Sequence, residues 1–325
     1  MVLQLCLILT ANIIMKLNSI QIMKRFLTLT LFFLAAVSCT KVDSSKNDTC
    51  VTFIVETPEI ATKALGDGTS ANDLYYAIYD EAGNLMSQIS KVSESDKESI
   101  NISKTISTRL VTGNVYSMIF WADNADDVCD VDFAAKTMSY NPKTSNIEEY
   151  DAFWAYVEPF TVTEDVTKYI KLYRPFAQLN IGTNDLEAAE AAGVAVTETK
   201  VVVTTATKMN LTDGAVSEEV ELTYGYNAIP EGETFPVDGY EYLSMNYLLV
   251  GTDKITEDIV FSYSCEKKDY SRTFTFVPLQ RNYRTNIYGS LITNNISLNI
   301  TIEPAFNDPD YNYNYNEIHT GGSAE

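Results

Sequence analysis

The feature that most constrains this chain is a succession of short apolar runs, several of which alternate with a period of two. The segment from Ile296 to Ile302 alternates strictly with polar residues, and Val51 to Val55 follows a similar pattern. Val115 to Ala122 is a continuous apolar run, which is typical of a buried central strand. Gly, Asn, Asp and Pro lie between the runs, as turns require. The sequence therefore predicts an all-β fold built from many short strands.

The spacing of these strands predicts two β-sandwiches, because many short strands separated by turn residues are typical of that architecture. We place the boundary near Arg174-Pro175, since proline cannot continue a central strand and a new strand pattern begins just after it. One short helix is predicted over residues 186–192. Asn184-Asp185 supplies its N-terminal cap, and Gly193 stands where a helix stop is expected.

The N-terminal residues have the pattern of a secretory signal. Lys24 and Arg25 precede the apolar run from Phe26 to Val37, which is too short to span a bilayer. The sequence Leu34-Ala-Ala-Val-Ser-Cys39 resembles a bacterial lipobox, in which the cysteine is acylated and becomes the mature N-terminus. Residues 1–22 are interpreted as an over-extended gene start. We therefore expect lipidation at Cys39 and a lipid anchor in the outer membrane.

These patterns divide the chain into five predicted segments. In order they are a signal peptide (1–38), a lipidated tether (39–49), an N-terminal β-sandwich (50–173), a C-terminal β-sandwich (174–306) and a flexible tail (307–325).

Composition excludes several classes of function. The net charge of −21 disfavours a nucleic-acid partner, because an acidic surface repels phosphate. His319 is the single histidine, so Ser-His and Cys-His nucleophilic sites and histidine-based zinc sites are excluded. No glycine-rich phosphate loop follows a strand. We expect no catalytic residues, no cofactor and no metal, and we predict that the protein is not an enzyme.

Two weaker signals leave alternatives open. Residues 123–132 are rich in aspartate and could hold calcium, but they lack the spacing of an EF-hand, and a solvated loop is the preferred interpretation. The 21 tyrosines and two tryptophans could form a sugar-stacking platform, although aromatic residues in strands mostly pack cores.

Cys50, Cys129 and Cys265 are too few for a complete disulfide framework, and whether two of them pair stays open.

Several short motifs together carry a resemblance to a known family. They are the lipobox at Cys39, the strand Val51 to Val55, Thr62-Lys-Ala-Leu-Gly66, Tyr116-Ser-Met-Ile-Phe-Trp-Ala122, Arg174-Pro-Phe-Ala-Gln-Leu-Asn-Ile181 and Pro278-Leu-Gln-Arg-Asn-Tyr-Arg-Thr-Asn-Ile-Tyr288. With these motifs the chain resembles the fimbrillin-like lipoproteins of anaerobic gut and oral Gram-negative bacteria, whose members build pili. The resemblance implies two transthyretin-like Greek-key β-sandwich domains. It also implies a fimbrial structural or adhesive subunit at the cell surface, with other pilus subunits as partners.

The resemblance and the strand pattern together predict assembly by strand exchange. Proteolytic processing at Lys63 would remove the lipid anchor and the strand Val51 to Val55, and a donor strand would refill the groove. Two donors are open: the segment containing Ile296, Leu298, Ile300 and Ile302, and the alternating tyrosines from Tyr311 to Tyr315. The alternative function is a surface glycan-binding lipoprotein with a host or glycan ligand, and a hydrolase is a more distant third.

Overall fold

The computed structural model describes residues 48–57, 65–66, 68, 70–93, 96–100, 103–124, 128–265, 268–293 and 297–304. Cys39, Lys63, Ile296 and the tail from residue 307 lie outside these ranges. Strands make up nearly all regular elements of the described chain, so the all-β prediction is confirmed. No helix within the described ranges is long and apolar enough to cross a membrane.

The described elements are seventeen strands, one α-helix and a short 3-10 helix. In chain order they are β1 (Asp48–Glu56), β2 (Asp73–Tyr79), β3 (Glu98–Ser99), β4 (Ser103–Val111), β5 (Val115–Asp123), β6 (Cys129–Asp132), β7 (Thr137–Tyr140), a 3-10 helix (Glu148–Tyr150), β8 (Phe153–Thr161), β9 (Val166–Lys171), β10 (Phe176–Thr183), α1 (Leu186–Ala191), β11 (Glu198–Asn210), β12 (Val216–Ala228), β13 (Glu241–Leu249), β14 (Ile255–Cys265), β15 (Lys268–Leu279), β16 (Tyr283–Ser290) and β17 (Ser297–Pro304).

The strands form four sheets. Strands that precede Arg174 make a three-stranded sheet, β4-β1-β9, and a four-stranded sheet, β3-β2-β5-β8. Strands that follow it make a second four-stranded sheet, β13-β10-β16-β17. The last sheet has the order β15-β14-β11-β7-β6, with β12 also paired to β11. Because β6 and β7 precede Arg174, this sheet draws strands from both sides of the predicted boundary, and the two-domain, Greek-key division stays a prediction.

The continuous apolar runs belong to strands that are buried on both faces. In β2, Leu74, Tyr76 and Ile78 enter the core between the first two sheets. The intervening Tyr75 and Tyr79 enter a second core on the opposite face. Successive side chains of a strand point to opposite faces, so a strand covered on both sides needs apolar residues at every position. β5 shows the same division, which confirms that it is a buried central strand.

The same local arrangement occurs twice in the chain. β1 is antiparallel to β4 on one side and parallel to β9 on the other. β10 is likewise antiparallel to β13 and parallel to β16. The inward face of β10, with Leu179 and Ile181, enters a third core that also contains Ile300 of β17.

The helix is where the sequence predicts it, but its cap is different. Asp185 occupies the N-cap position without making a side-chain cap hydrogen bond, so that part of the prediction was wrong. Its carboxylate instead accepts hydrogen bonds from the backbone N–H and hydroxyl of Thr293, both at 2.7 Å. Burial raises the pKa of Asp185, but hydrogen bonds from Thr183, Thr293 and Ile292 outweigh it, so the net pKa is lowered. Asp185 therefore fastens the β16–β17 connection to the start of α1.

Candidate functional site

β1 is the most N-terminal described strand, and it lies inside the body of the protein. Val51, Phe53 and Val55 are fully buried and face the core between the first two sheets. The Phe53 ring lies 5.7 Å from the ring of Phe120 and 6.2 Å from that of Phe160, measured between centroids. Neighbouring strands pair with both edges of β1, so its backbone is hydrogen-bonded on both sides. Removing β1 would therefore open an apolar groove with two unpaired strand edges.

The free energy that holds β1 in its groove determines what a replacement strand must contribute. Each fully buried Val or Phe side chain contributes about 1.5–3 kcal/mol through burial alone. The N–H and C=O groups of β4 and β9 that now pair with β1 would also lose their partners, which adds to this cost. A replacement strand must therefore be extended and must carry apolar side chains at every second position.

The chain just beyond β1 is held by four polar side chains, which we call the polar clamp: the buried Asp151, Arg174 and Gln178, and the half-buried Glu148. The Gln178 amide donates to the Leu65 carbonyl at 2.7 Å. Nη2 of Arg174 donates to the Gly66 carbonyl at 2.7 Å, and Glu148 accepts from the Gly66 N–H at 3.0 Å.

Gly66 is required at its position in the clamp. Its φ is +79°, and an added Cβ would lie 2.6 Å from Oε1 of Gln178. The motif Thr62-Lys-Ala-Leu-Gly66 therefore ends at a fixed attachment point, whereas Lys63 itself lies outside the described residues.

Arg174 is the centre of the clamp. It is fully buried, and its Nε donates to Oδ1 of Asp151 at 2.6 Å, while Nη2 donates to the other carboxylate oxygen. The guanidinium also lies 5.4 Å from the ring centroids of both Phe153 and Tyr247. Burial lowers the pKa of Arg174, but Asp151 more than offsets this, so the net pKa is raised and the guanidinium stays charged. Arg174, which stands at the predicted domain boundary, is thus a buried ion-pair partner.

A row of buried polar side chains extends the clamp along β10 and β16. The parallel pairing places Gln178 opposite Arg284 and Asn180 opposite Asn286. Arg284 donates to Oε1 of Gln178 at 3.1 Å, and the Asn180 amide donates to Oδ1 of Asn286 at 2.9 Å. Burial strengthens such hydrogen bonds, and a connected network of them specifies one arrangement of the strands.

Three of the motifs that carry the family resemblance thus converge in one place. They are Thr62-Lys-Ala-Leu-Gly66, the segment from Arg174 to Ile181 and the segment from Pro278 to Tyr288. Asp151 and Glu148 complete the network and were not predicted. A single carboxylate among 44 acidic residues leaves no local signal of this role.

The predicted donor segment has a place of its own in this structure. Leu298, Ile300 and Ile302 lie in β17, which pairs antiparallel with β16 along its whole length. Ile300 and Ile302 are buried. β17 is an edge strand of its sheet, so it is paired on one side only. Its role as a donor stays a prediction, as do lipidation at Cys39 and processing at Lys63, which lie outside the described residues together with Ile296.

Groups that could carry other chemistry are sparse among the described residues. No cluster of three or more His, Cys, Asp or Glu side chains there could hold a metal ion. Residues 125–127 of the acidic loop lie outside the described ranges. Cys129 and Cys265 carry free thiols. The chemistry that this site offers is main-chain pairing and apolar burial.

The fold and the site together define an all-β protein. Its most N-terminal described strand is inserted between two strands of the body and is followed by a largely buried polar clamp. The chain belongs to the family of unknown function DUF6562, whose sequence profile matches residues 43–320. No curated protein matches it in sequence.

Several solved structures are similar to the chain at low identity. A candidate polysaccharide-binding protein from Bacteroides thetaiotaomicron has 11% identity and a TM-score of 0.47, covering 79% of this chain and 96% of the other. A fimbrial assembly protein from Parabacteroides distasonis has 12% identity and a TM-score of 0.44, with the same coverage. The fimbrial anchor protein Mfa2 from Porphyromonas gingivalis has 11% identity and a TM-score of 0.45, covering 81% and 100%. Identities and TM-scores this low carry no conclusion about function.

Proposed function

We propose that this chain is a lipid-anchored envelope protein that acts as a fimbrial structural or adhesive subunit and is assembled by strand exchange. The observation that carries the proposal is the position of β1 between β4 and β9. This strand is fully inserted in the body, lies between Cys39 and Lys63 in the sequence, and is followed at Leu65 by an independent attachment point. One cut would therefore separate the anchor and the first strand from the rest of the chain.

The polar clamp gives this cut a defined consequence. After cleavage at Lys63, the chain would stay fastened at the two residues that follow the new N-terminus: Gln178 holds Leu65 and Arg174 holds Gly66. β1 would be held by its pairing with β4 and β9, by apolar burial and by hydrogen bonds to Thr112, Ser107 and Asp165. None of these contacts involves a clamp residue, so β1 could leave without loosening the clamp. The empty groove between β4 and β9 would then accept an extended strand from another subunit.

The segment from Ile296 to Ile302 is the preferred donor. It alternates strictly, as the groove requires, and β17 as an edge strand can leave its sheet without separating an interior pair. The competing donor is the tyrosine tail from Tyr311 to Tyr315, which lies outside the described residues. The location that follows is the outer membrane for the anchored form, and the cell surface or a fimbrium for the assembled form.

We expect the assembled form to be recovered as a detergent-resistant, heat-labile ladder, because strand exchange buries a whole strand in each subunit. N-terminal sequencing of the ladder should begin at Ala64 if cleavage occurs after Lys63. The membrane-bound monomer is the internal control and should begin at a blocked, acylated Cys39. Surface protein that runs only as a monomer under mild detergent would contradict the proposed assembly.

Replacing Cys39 with Ala should release the chain from membranes in soluble form, because the acyl chains on that sulfur supply the attachment. Intact mass of the unmodified membrane-extracted protein should show a diacyl or triacyl adduct. Cys50→Ala is the matched control, since it alters a nearby cysteine that lies within β1, and it should leave membrane attachment unchanged. Membrane retention of the Cys39→Ala protein would refute lipid anchoring at this residue.

A further inference from the structure

We infer that the cleft between β8 and β9 binds a neutral oligosaccharide. The cleft lies at the edge of the first two sheets. β9, which forms one of its walls, also pairs with β1, but no residue of β1 or of the polar clamp is among the residues that line the cleft. The inference does not depend on polymerisation, so it can fail or succeed independently of the proposed fimbrial function.

The cleft is closed at both ends and open between them. Residues 162–165 join β8 to β9 at one end. At the other end Trp154 and Tyr173 exchange two backbone hydrogen bonds, each 2.9 Å long. Between these ends, within the described chain, β8 pairs with β5 and β9 pairs with β1, and no ladder joins β8 to β9. The opening has a volume of about 660 Å³, which is within the usual range for small-ligand sites.

Aromatic rings line both walls of this cleft. Trp154 and Tyr156 come from β8, at positions that share one face of the strand, and both are half-buried. Tyr169 and Tyr173 come from the β9 side and are 73% and 43% exposed. Exposed aromatic side chains of this size are few among the described residues, and these two share one short stretch of chain. Their four-residue separation spans roughly 13 Å of extended chain, the length of a short oligosaccharide.

Trp154, at the end of the cleft that the Trp154–Tyr173 hydrogen bonds close, is held in a fixed position. Its indole Nε1 donates to the carbonyl of Leu211 at 3.0 Å. The guanidinium of Arg281 lies 5.7 Å from the ring centroid. A ring fixed in this way offers a preformed surface, and a ligand that binds it loses little free energy to ordering the protein.

The lining selects the chemical class of the ligand. A sugar ring has an apolar face of C–H groups, which packs on aromatic rings, and a rim of hydroxyl groups that need hydrogen-bond partners. Lys171, Glu158 and Asp213 lie among the rings and supply such partners. Two of these three groups are acidic, and the whole chain carries a net charge of −21, so sulfated and sialylated glycans are repelled. A neutral glycan chain fits both the rings and the charge.

Calorimetric and tryptophan-fluorescence titrations of the chain from residue 39, carrying Cys39→Ala, test the inference. The probes are maltohexaose, cellohexaose, mannohexaose and xylohexaose, with a sulfated oligosaccharide as the charged comparison. We expect at least one neutral hexasaccharide to bind and the sulfated one not to bind. Tyr169→Ala and Tyr173→Ala should each weaken binding about five- to tenfold, because each removes one stacking surface.

Phe276→Ala is the matched control, because Phe276 is also a largely exposed aromatic residue on a strand but lies on β15, outside the cleft. It should leave binding unchanged. If the Tyr173→Ala protein unfolds, the Tyr169→Ala protein alone tests the inference. The Tyr169 side chain is mostly in solvent, so its removal should not disturb the fold. Failure of all four neutral probes, or binding that survives Tyr169→Ala, would overturn the inference. A change of oligomeric state in Tyr169→Ala without any sugar binding would also overturn it and would assign the patch to a protein contact.

Discussion

Replacing Arg174 with methionine should lower the free energy of unfolding by about 3–5 kcal/mol, because the change leaves the fully buried Asp151 carboxylate without its charged partner. The loss should also free the Gly66 carbonyl, which accepts a hydrogen bond from the same guanidinium. Urea unfolding of the chain from residue 39, followed by tryptophan fluorescence, measures the change. A loss of this size lies at the upper end of the range for single substitutions.

Two further variants isolate the cause. Lys208→Gln breaks the exposed pair with Glu218, whose charged atoms are 3.3 Å apart, and should change stability by less than about 1 kcal/mol. The double variant Arg174→Met with Asp151→Leu should recover much of the lost stability, since no charge is then left buried. An Arg174→Met protein as stable as the unmodified chain would show that the ion pair contributes nothing to the fold.

Lys63→Ala should abolish the ladder and leave full-length, lipidated monomers, because an uncut chain keeps β1 covalently attached and its groove filled. The expected effect is all-or-none, since one peptide bond connects the anchor and first strand to the body. Lys91→Ala is the matched control, because Lys91 is the next basic residue along the sequence and should leave processing unchanged. Gel electrophoresis without boiling measures the ladder in both variants, and N-terminal sequencing measures cleavage.

Deletion of residues 307–325 then distinguishes the two donors. Loss of the ladder with cleavage intact would assign the donor to the tyrosine tail. An unaffected ladder would assign it to the segment from Ile296 to Ile302. Ladders that persist in Lys63→Ala would show that cleavage at this lysine is not the trigger for assembly.

Strands were predictable from sequence where burial imposes a pattern, and were missed where it does not. β2, β5, β10 and β13 are buried on at least one full face, so their apolar residues stand out. β4 was not predicted. It lies at the edge of its sheet, exposes polar side chains along much of its length and has only three apolar residues among nine. The local pattern of a strand reflects its burial, and little of β4 is buried.

The candidate site divides in the same way. Sequence by itself determined the all-β class, the alternation of the first and last strands, and the short motifs at Gly66 and Arg174. Tertiary structure alone decided that Arg174 pairs with Asp151 and that Gln178 holds Leu65, which is 113 residues away in the sequence. It also decided that β1 lies between β4 and β9. The physical reason is that the alternation of side chains along a strand depends only on residues close in sequence. The partner of a buried polar group depends instead on how strands distant in sequence pack together. That packing leaves no local pattern in the sequence.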